Sequence, residues 1–272
     1  MTVKNILAGY TGMSASGSAL RHAIRIAKHN DAWITGVVSH RPSAIERQFG
    51  AQLSGSVKKE LRRLDTERIE SIEKRFAAMI REFGDPDRAE FVDMEDTGLA
   101  DLSAYARLFD LVVMGNPSEL PVDAHLSANP DRVALQSGRP VVIIPDHFES
   151  TKLADHALIA WDGQRAAARA LGDAMPVLEE KPKVTVLTVG KAAVPGTDRL
   201  ITNLERHGIK AELLVRPRGR GVGRTILNAV DEIAADIIIM GAYEHSKFAH
   251  DLVGGVTTDV MRETKVPVFM SH

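Results

Sequence analysis

The sequence predicts an α/β protein of two tandem doubly wound domains, each a five-stranded parallel sheet flanked by helices. Three observations carry that expectation. Short runs such as "DLVVMG", "PVVIIP" and "DIIIMG" are apolar throughout, as strands are when helices cover both faces. They alternate with stretches of helical periodicity, the signature of βαβ units with right-handed crossovers. The whole pattern also occurs twice.

In chain order, the first copy opens "ILAGYTGMSASGSALRHAIRIA", a strand near 3–9 and a helix near 17–29. Strands near 33–39, 88–93, 110–115 and 140–145 follow, with a helix near 97–108. The second copy opens with the similar "ALIAWDGQRAAARALGDAMPVL", a strand near 156–161 and a helix near 164–178. Its further strands fall near 184–189, 210–215, 236–241 and 266–270, and its further helices near 223–234 and 255–264. "LFDLVVMGNPSE" is matched by "AADIIIMGAYEH", aligning Gly115 with Gly241, and "GRPVVIIP" by "KVPVFMSH", aligning Pro140 with Pro267. These counterparts are closer in sequence than Gly12 and Gly163 of the two openings, so the first copy carries an insertion. It is visible at 57–83, where Leu61, Leu64, Ile69, Ile72, Phe76, Met79, Ile80 and Phe83 make a helical stripe expected to cover the sheet. Gly84 and Asp85-Pro86 end that helix. "PDHFESTKLADH" is the expected linker between domains at 1–148 and 153–272.

Composition excludes several classes. A net charge of −2 over 272 residues leaves no footprint for nucleic acid. No window of about 18 uncharged apolar residues exists, so no membrane span is expected. The opening "MTVKNILAGY" lacks a signal-peptide layout, which makes the cytoplasm the default. Zero cysteines exclude disulfides, thiolate nucleophiles and cysteine-ligated metals. His245 and His250, five apart beside Asp251, have poor spacing for a metal, and none is expected. Neither a Walker loop nor a G-x-S-x-G elbow is present. The "SASGS" run from Ser14 is expected to cap a helix. "PRGRGVGRT" reads as a loop entering a helix at Val222 or Gly223, with Arg218 or Arg220 able to swing toward a triphosphate.

The most specific motif runs from Gly241 to Val256. Gly241, two residues, Glu244, nine residues, Gly254 and then Gly255 is similar in spacing to the motif of nucleotide-binding universal stress proteins, whose second glycine and closing Ser or Thr are replaced here. With the opening "LIAWDGQRAAARAL", this stretch resembles the universal stress protein family in its tandem two-domain form, over essentially the whole chain. The resemblance implies strand order 3-2-1-4-5, pairing through the last strands within the chain or in a homodimer, and an adenine nucleotide as ligand. It places Asp162 where the family's aspartate contacts adenine, with Gly163 beside it. In that order the crevice lies beyond the carboxyl ends of the first and fourth strands, where the winding switches. Asp162 and the Met240-Gly241 pair would then face each other across it. Gly241 would let backbone approach a ribose, and Gly254, Gly255, Val256 and Thr257 would open a helix whose N-terminus favours anions.

Glu244 opposes this. A carboxylate about 4 Å from a phosphate oxygen at an effective dielectric of ~20 costs roughly 4 kcal/mol before relaxation, or about three decades in affinity. Its place as the second glycine would cost more if the backbone there needs positive φ, although His245, Lys247 and His250 could pair with it or with phosphate. In the first copy Thr11 replaces the aspartate, and Asn116-Pro117 follows Gly115 with no later glycine pair, so a structural role is expected there. Two readings stand: a regulatory module holding ATP or a related adenine nucleotide in the second domain and biasing a protein partner, or a scaffold whose cradle binds none. As an enzyme the chain would be at most a slow ATP hydrolase, with Glu244 orienting water.

Overall fold

A computed structural model describes residues 3–116, 124–149, 153–242 and 255–272. The strands of the first half are β1 (Asn5–Gly9), β2 (Trp33–Val38), β3 (Ala89–Asp93), β4 (Leu111–Asn116) and β5 (Val141–Pro145). Those of the second are β6 (His156–Ala160), β7 (Lys183–Val189), β8 (Ala211–Arg216), β9 (Ile237–Gly241) and β10 (Val268–Ser271). The described helices are α1 (Ser14–Asn30), α2 (Ala44–Phe49), α3 (Gly55–Phe83), α4 (Leu102–Ala106), α5 (Pro130–Gln136), α6 (Arg165–Leu178), α7 (Thr197–Arg206), α8 (Val222–Ile233) and α9 (Val256–Glu263).

All ten strands form one sheet, in the order β3-β2-β1-β4-β5-β10-β9-β6-β7-β8. Each half has the order 3-2-1-4-5 and is parallel throughout. The halves meet where β5 and β10 pair antiparallel, with Val142 opposite Phe269. The expected pairing through last strands therefore occurs within the chain.

Alternation along the strands divides the core into two layers, because successive side chains point to opposite faces. Ile6, Ala8, Val113, Ile159 and Phe269 pack with α1, α3, α6 and α7 on one face. Leu7, Val112, Leu158, Met240 and Met270 pack with α4, α5, α8 and α9 on the other. In each half the first strand leads to a helix on one face and the fourth to a helix on the opposite face. That change of side is the switch point that opens a crevice beyond the carboxyl ends.

Three expectations need correction. The helix expected at 97–108 shrinks to α4, because a 3-10 turn at Met94–Thr97 ends on Gly98 in the left-handed region. Short α2, α5 and α7 are additional; α5 has Asn129 as its side-chain cap and Pro130 in its first turn, a start signal in plain view. In α3 only Ile69, Ile72, Phe76 and Ile80 of the stripe are buried, while Leu64 and Phe83 are exposed. A helix of 29 residues is about 43 Å long, against roughly 18 Å for a strand of five or six residues. Its first half therefore overhangs the carboxyl edge.

Candidate functional site

In the second half, β6 and β9 are adjacent and in register, with Ala160 opposite Met240. This brings Asp162 and Gly241, expected to face one another, to the carboxyl ends of neighbouring strands. Asp162 is exposed, and one carboxylate oxygen accepts from the Gln164 N–H at 2.9 Å. The turn between them needs Gly163, whose φ of 76° lies in the left-handed region. Gly12 has φ 72° at the corresponding turn of the first half.

Met240 is buried between β6 and β10. At Gly241 a Cβ would lie 2.5 Å from the Ala166 carbonyl carbon and 2.6 Å from the Ala167 nitrogen. At Gly115 it would lie 2.3 Å from the Ala15 oxygen. In both halves the Met-Gly glycine is thus the position that lets the first turn of a helix lie directly on the sheet.

Gly255 is the extended N-cap residue of α9 and, among the described residues, its start has no side-chain cap hydrogen bond. Val256 is half-buried and Thr257 buried in the first turn. Asp259, in the same turn, pairs with Arg262 at 3.3 Å. Glu244, His245 and Gly254 of the candidate set lie outside the described residues, as do Lys247, His250, Asp251 and Pro117. Arg218 and Arg220 are exposed on the loop before α8, whose N-cap is Gly221; the helix starts at Val222. Thr225 Oγ1 ties that loop down, accepting from Gly219 N–H at 3.3 Å and donating to the Gly221 carbonyl at 2.9 Å.

Two further groups at this end escaped sequence reasoning. The Trp161 indole Nε1 and the Thr188 hydroxyl are both buried and without a hydrogen-bond partner. Trp161 N–H donates to the Leu187 carbonyl, which places Trp161 and Thr188 on adjacent strands just past Ala160 and Leu187. The signal was available as an aromatic residue preceding Asp162 and a hydroxyl inside the apolar run "KVTVLTV".

The first-half crevice is filled by its own chain. Leu126, 1% exposed, packs with Ser127 and Ala128 against Gly9, Tyr10, Met114 and Gly115, leaving about 30 Å³. This plug is held from the overhanging part of α3, where Asp65 pairs with His125 at 2.9 Å, and from Arg41, whose backbone N–H donates to the His125 carbonyl. Thr11, the counterpart of Asp162, donates its hydroxyl to Ser16 at 3.2 Å. Asn116 donates to the Met261 carbonyl of α9 across the two halves at 2.6 Å. The "SASGS" run does not cap α1; Met13 is its N-cap residue without a side-chain cap, and Ser14 donates to Asp146 instead. Among the described residues one group of metal-type ligands occurs, His40, Asp93 and Glu95, with His40 Nδ1 at 3.0 Å from Asp93.

A doubly wound α/β protein with its crevice at the switch point is the class these features define. A profile of the universal stress protein family matches residues 203–272. A universal stress protein of Synechocystis sp. is 29% identical over 172 residues, 59% of this chain and 57% of that protein. The match thus spans little more than half of the relative's length. A universal stress protein from Archaeoglobus fulgidus has the same fold, with 17% identity, a TM-score of 0.72, and coverage of 98% of this chain and 95% of that one. A functionally unknown protein from Pseudomonas aeruginosa PAO1 is similar over 99% of this chain and 92% of its own, at 13% identity and a TM-score of 0.54. Residues 203–272 thus match the universal stress protein family, and the chain as a whole shares the fold of a universal stress protein.

Proposed function

We propose that residues 1–148 and 153–272 form two universal-stress-protein-like domains, and that the second holds ATP or a related adenine nucleotide. In this reading the free oxygen of Asp162 accepts from the adenine amine, and the start of α9 receives the phosphates. Occupancy then biases association with a protein partner, in the cytoplasm. Among the described residues no helix is long and apolar enough to cross a membrane. The observation that supports the reading best is the asymmetry between the halves. One crevice is packed with Leu126, while the other presents an exposed carboxylate, Asp162, at the end of β6 beside β9.

Calorimetry on the full chain stripped of nucleotide tests it. ATP is expected to bind, and Asp162→Ala to weaken binding by about tenfold or more, the usual scale for a hydrogen bond to a charged group. On sequence spacing alone, Glu244→Gly is expected to tighten it. Absence of heat at millimolar ATP would reject the nucleotide and leave the scaffold reading, which the plugged first crevice favours.

A further inference from the structure

Away from both crevices, three side chains of two ligand types converge where β2 and β3 end. His40 lies two residues beyond the last residue of β2, Asp93 closes β3, and Glu95 stands in the 3-10 turn Met94–Thr97. The ladder brings them together, because Val38 of β2 is paired with Asp93. His40 Nδ1 lies 3.0 Å from an oxygen of Asp93 and 3.3 Å from an oxygen of Glu95. The three ligand atoms are all within 4.8 Å of one another. The side chains of His40 and Asp93 are mostly buried, 16% and 18% exposed, whereas Glu95 is open to solvent at 74%.

An ion pair by itself accounts poorly for this arrangement. A ring nitrogen carries at most one hydrogen, so His40 serves two carboxylates only by sharing it. Neither Asp93 nor Glu95 pairs with a lysine or arginine among the described residues. Beside a neutral imidazole the two carboxylates leave two like charges close together, which a divalent cation cancels. The separations suit one. Ligands about 2.0–2.1 Å from a zinc ion stand roughly 3.4 Å apart around a tetrahedron. Asp93 is also fixed from behind: its Oδ1 accepts from the Glu95 N–H at 3.0 Å, and its Oδ2 is the oxygen nearest His40. Buried Met94 anchors the turn that holds both acids. A carboxylate oriented by such a hydrogen bond is pre-set as a ligand.

We propose that His40 Nδ1 and one oxygen each from Asp93 and Glu95 bind a zinc ion, with a fourth position left for water. The imidazole nitrogen favours zinc over magnesium, which takes oxygen ligands and sheds its water reluctantly. The site belongs to the first half, whose crevice is packed, and does not depend on the nucleotide reading.

Zinc titration of the full chain, stripped with EDTA and desalted, in competition with a chromophoric chelator tests the proposal. Zinc should bind and raise the thermal midpoint, and magnesium at the same concentration should do neither. His40→Ala should weaken zinc about tenfold or more, and so should Asp93→Asn, whose amide oxygen can still accept from the Glu95 N–H. Glu95→Gln should weaken zinc by a similar factor while leaving the metal-free midpoint unchanged, since an exposed side chain adds little to stability. No binding at high micromolar zinc would overturn the proposal, as would magnesium binding as tightly as zinc. Zinc binding that His40→Ala leaves intact would place the metal on other residues and overturn it too. A folded Glu95→Gln protein with undiminished affinity would remove the third ligand and with it the site as drawn.

Discussion

Single residues carry much of the family pattern, and their physical roles differ from what spacing suggests. The Met-Gly pairs at Gly115 and Gly241 are the most legible repeat in the sequence, and a ligand is the natural first explanation for them. Contact between α1 or α6 and the sheet explains both without one, since a Cβ at either would enter helix backbone. We therefore expect Gly115→Ala and Gly241→Ala each to destabilise by about 1–3 kcal/mol in nucleotide-free urea unfolding, the scale of overpacking a core. A ligand role alone would leave that unfolding unchanged. His22 supports a second expectation. Its folded pKa of about 4 lies below the usual histidine value of 6.5, so the unfolded chain binds more protons between those pH values. Its contribution is therefore complete above pH 6.5 and lost as pH falls toward 4, by about 3 kcal/mol. His22→Leu should flatten the pH dependence of unfolding midpoints in that window. Neither Leu126 nor the unpaired Trp161 and Thr188 could be found by composition, because burial and missing partners are properties of the assembled ends.

At the scale of elements, the strands followed from apolar runs, since strands covered on both faces leave a continuous signal. Short helices were less visible; α7 spans only 10 residues and buries just Thr197 and Leu204. The stripe in α3 is helical over its whole length, yet only Ile69, Ile72, Phe76 and Ile80 of it are core, because periodicity sets a face and says nothing of how much sheet lies beneath it. α8 ends on Ala234 in the left-handed region, φ 52°, which a residue with a Cβ adopts at a cost. Ala234 is exposed, so Ala234→Gly should stabilise the chain by about 0.5–1 kcal/mol in chemical denaturation. No change there would mean that the greater freedom of glycine in the unfolded chain offsets the relief.

For the whole molecule, the consequential feature is the antiparallel seam. β5 and β10 satisfy each other, so the edge that could join two copies is used within one. The free edges are β3 and β8, the outermost strands, which carry Glu90, Asp93, Glu212 and Arg216. Charged edge strands resist edge-to-edge pairing. Sedimentation velocity is accordingly expected to show a monomer whose coefficient does not change with concentration; a concentration-dependent dimer would require a surface other than the seam.

By itself the sequence determined the α/β class, the recurring strand pattern and nearly every strand, while the strand order that sets Asp162 beside Met240 and Gly241 was implied by the family resemblance. The first three rest on local pattern: hydrophobic period, turn glycines and repeated spacing. Only the tertiary structure decided that Leu126 closes the first crevice, that the Met-Gly glycines make room for helices, and that the two halves share an antiparallel seam between β5 and β10. Such facts depend on which side chains meet across long sequence separations. One strand's pattern specifies which residues turn inward, and what they meet there is set by the other half of the chain.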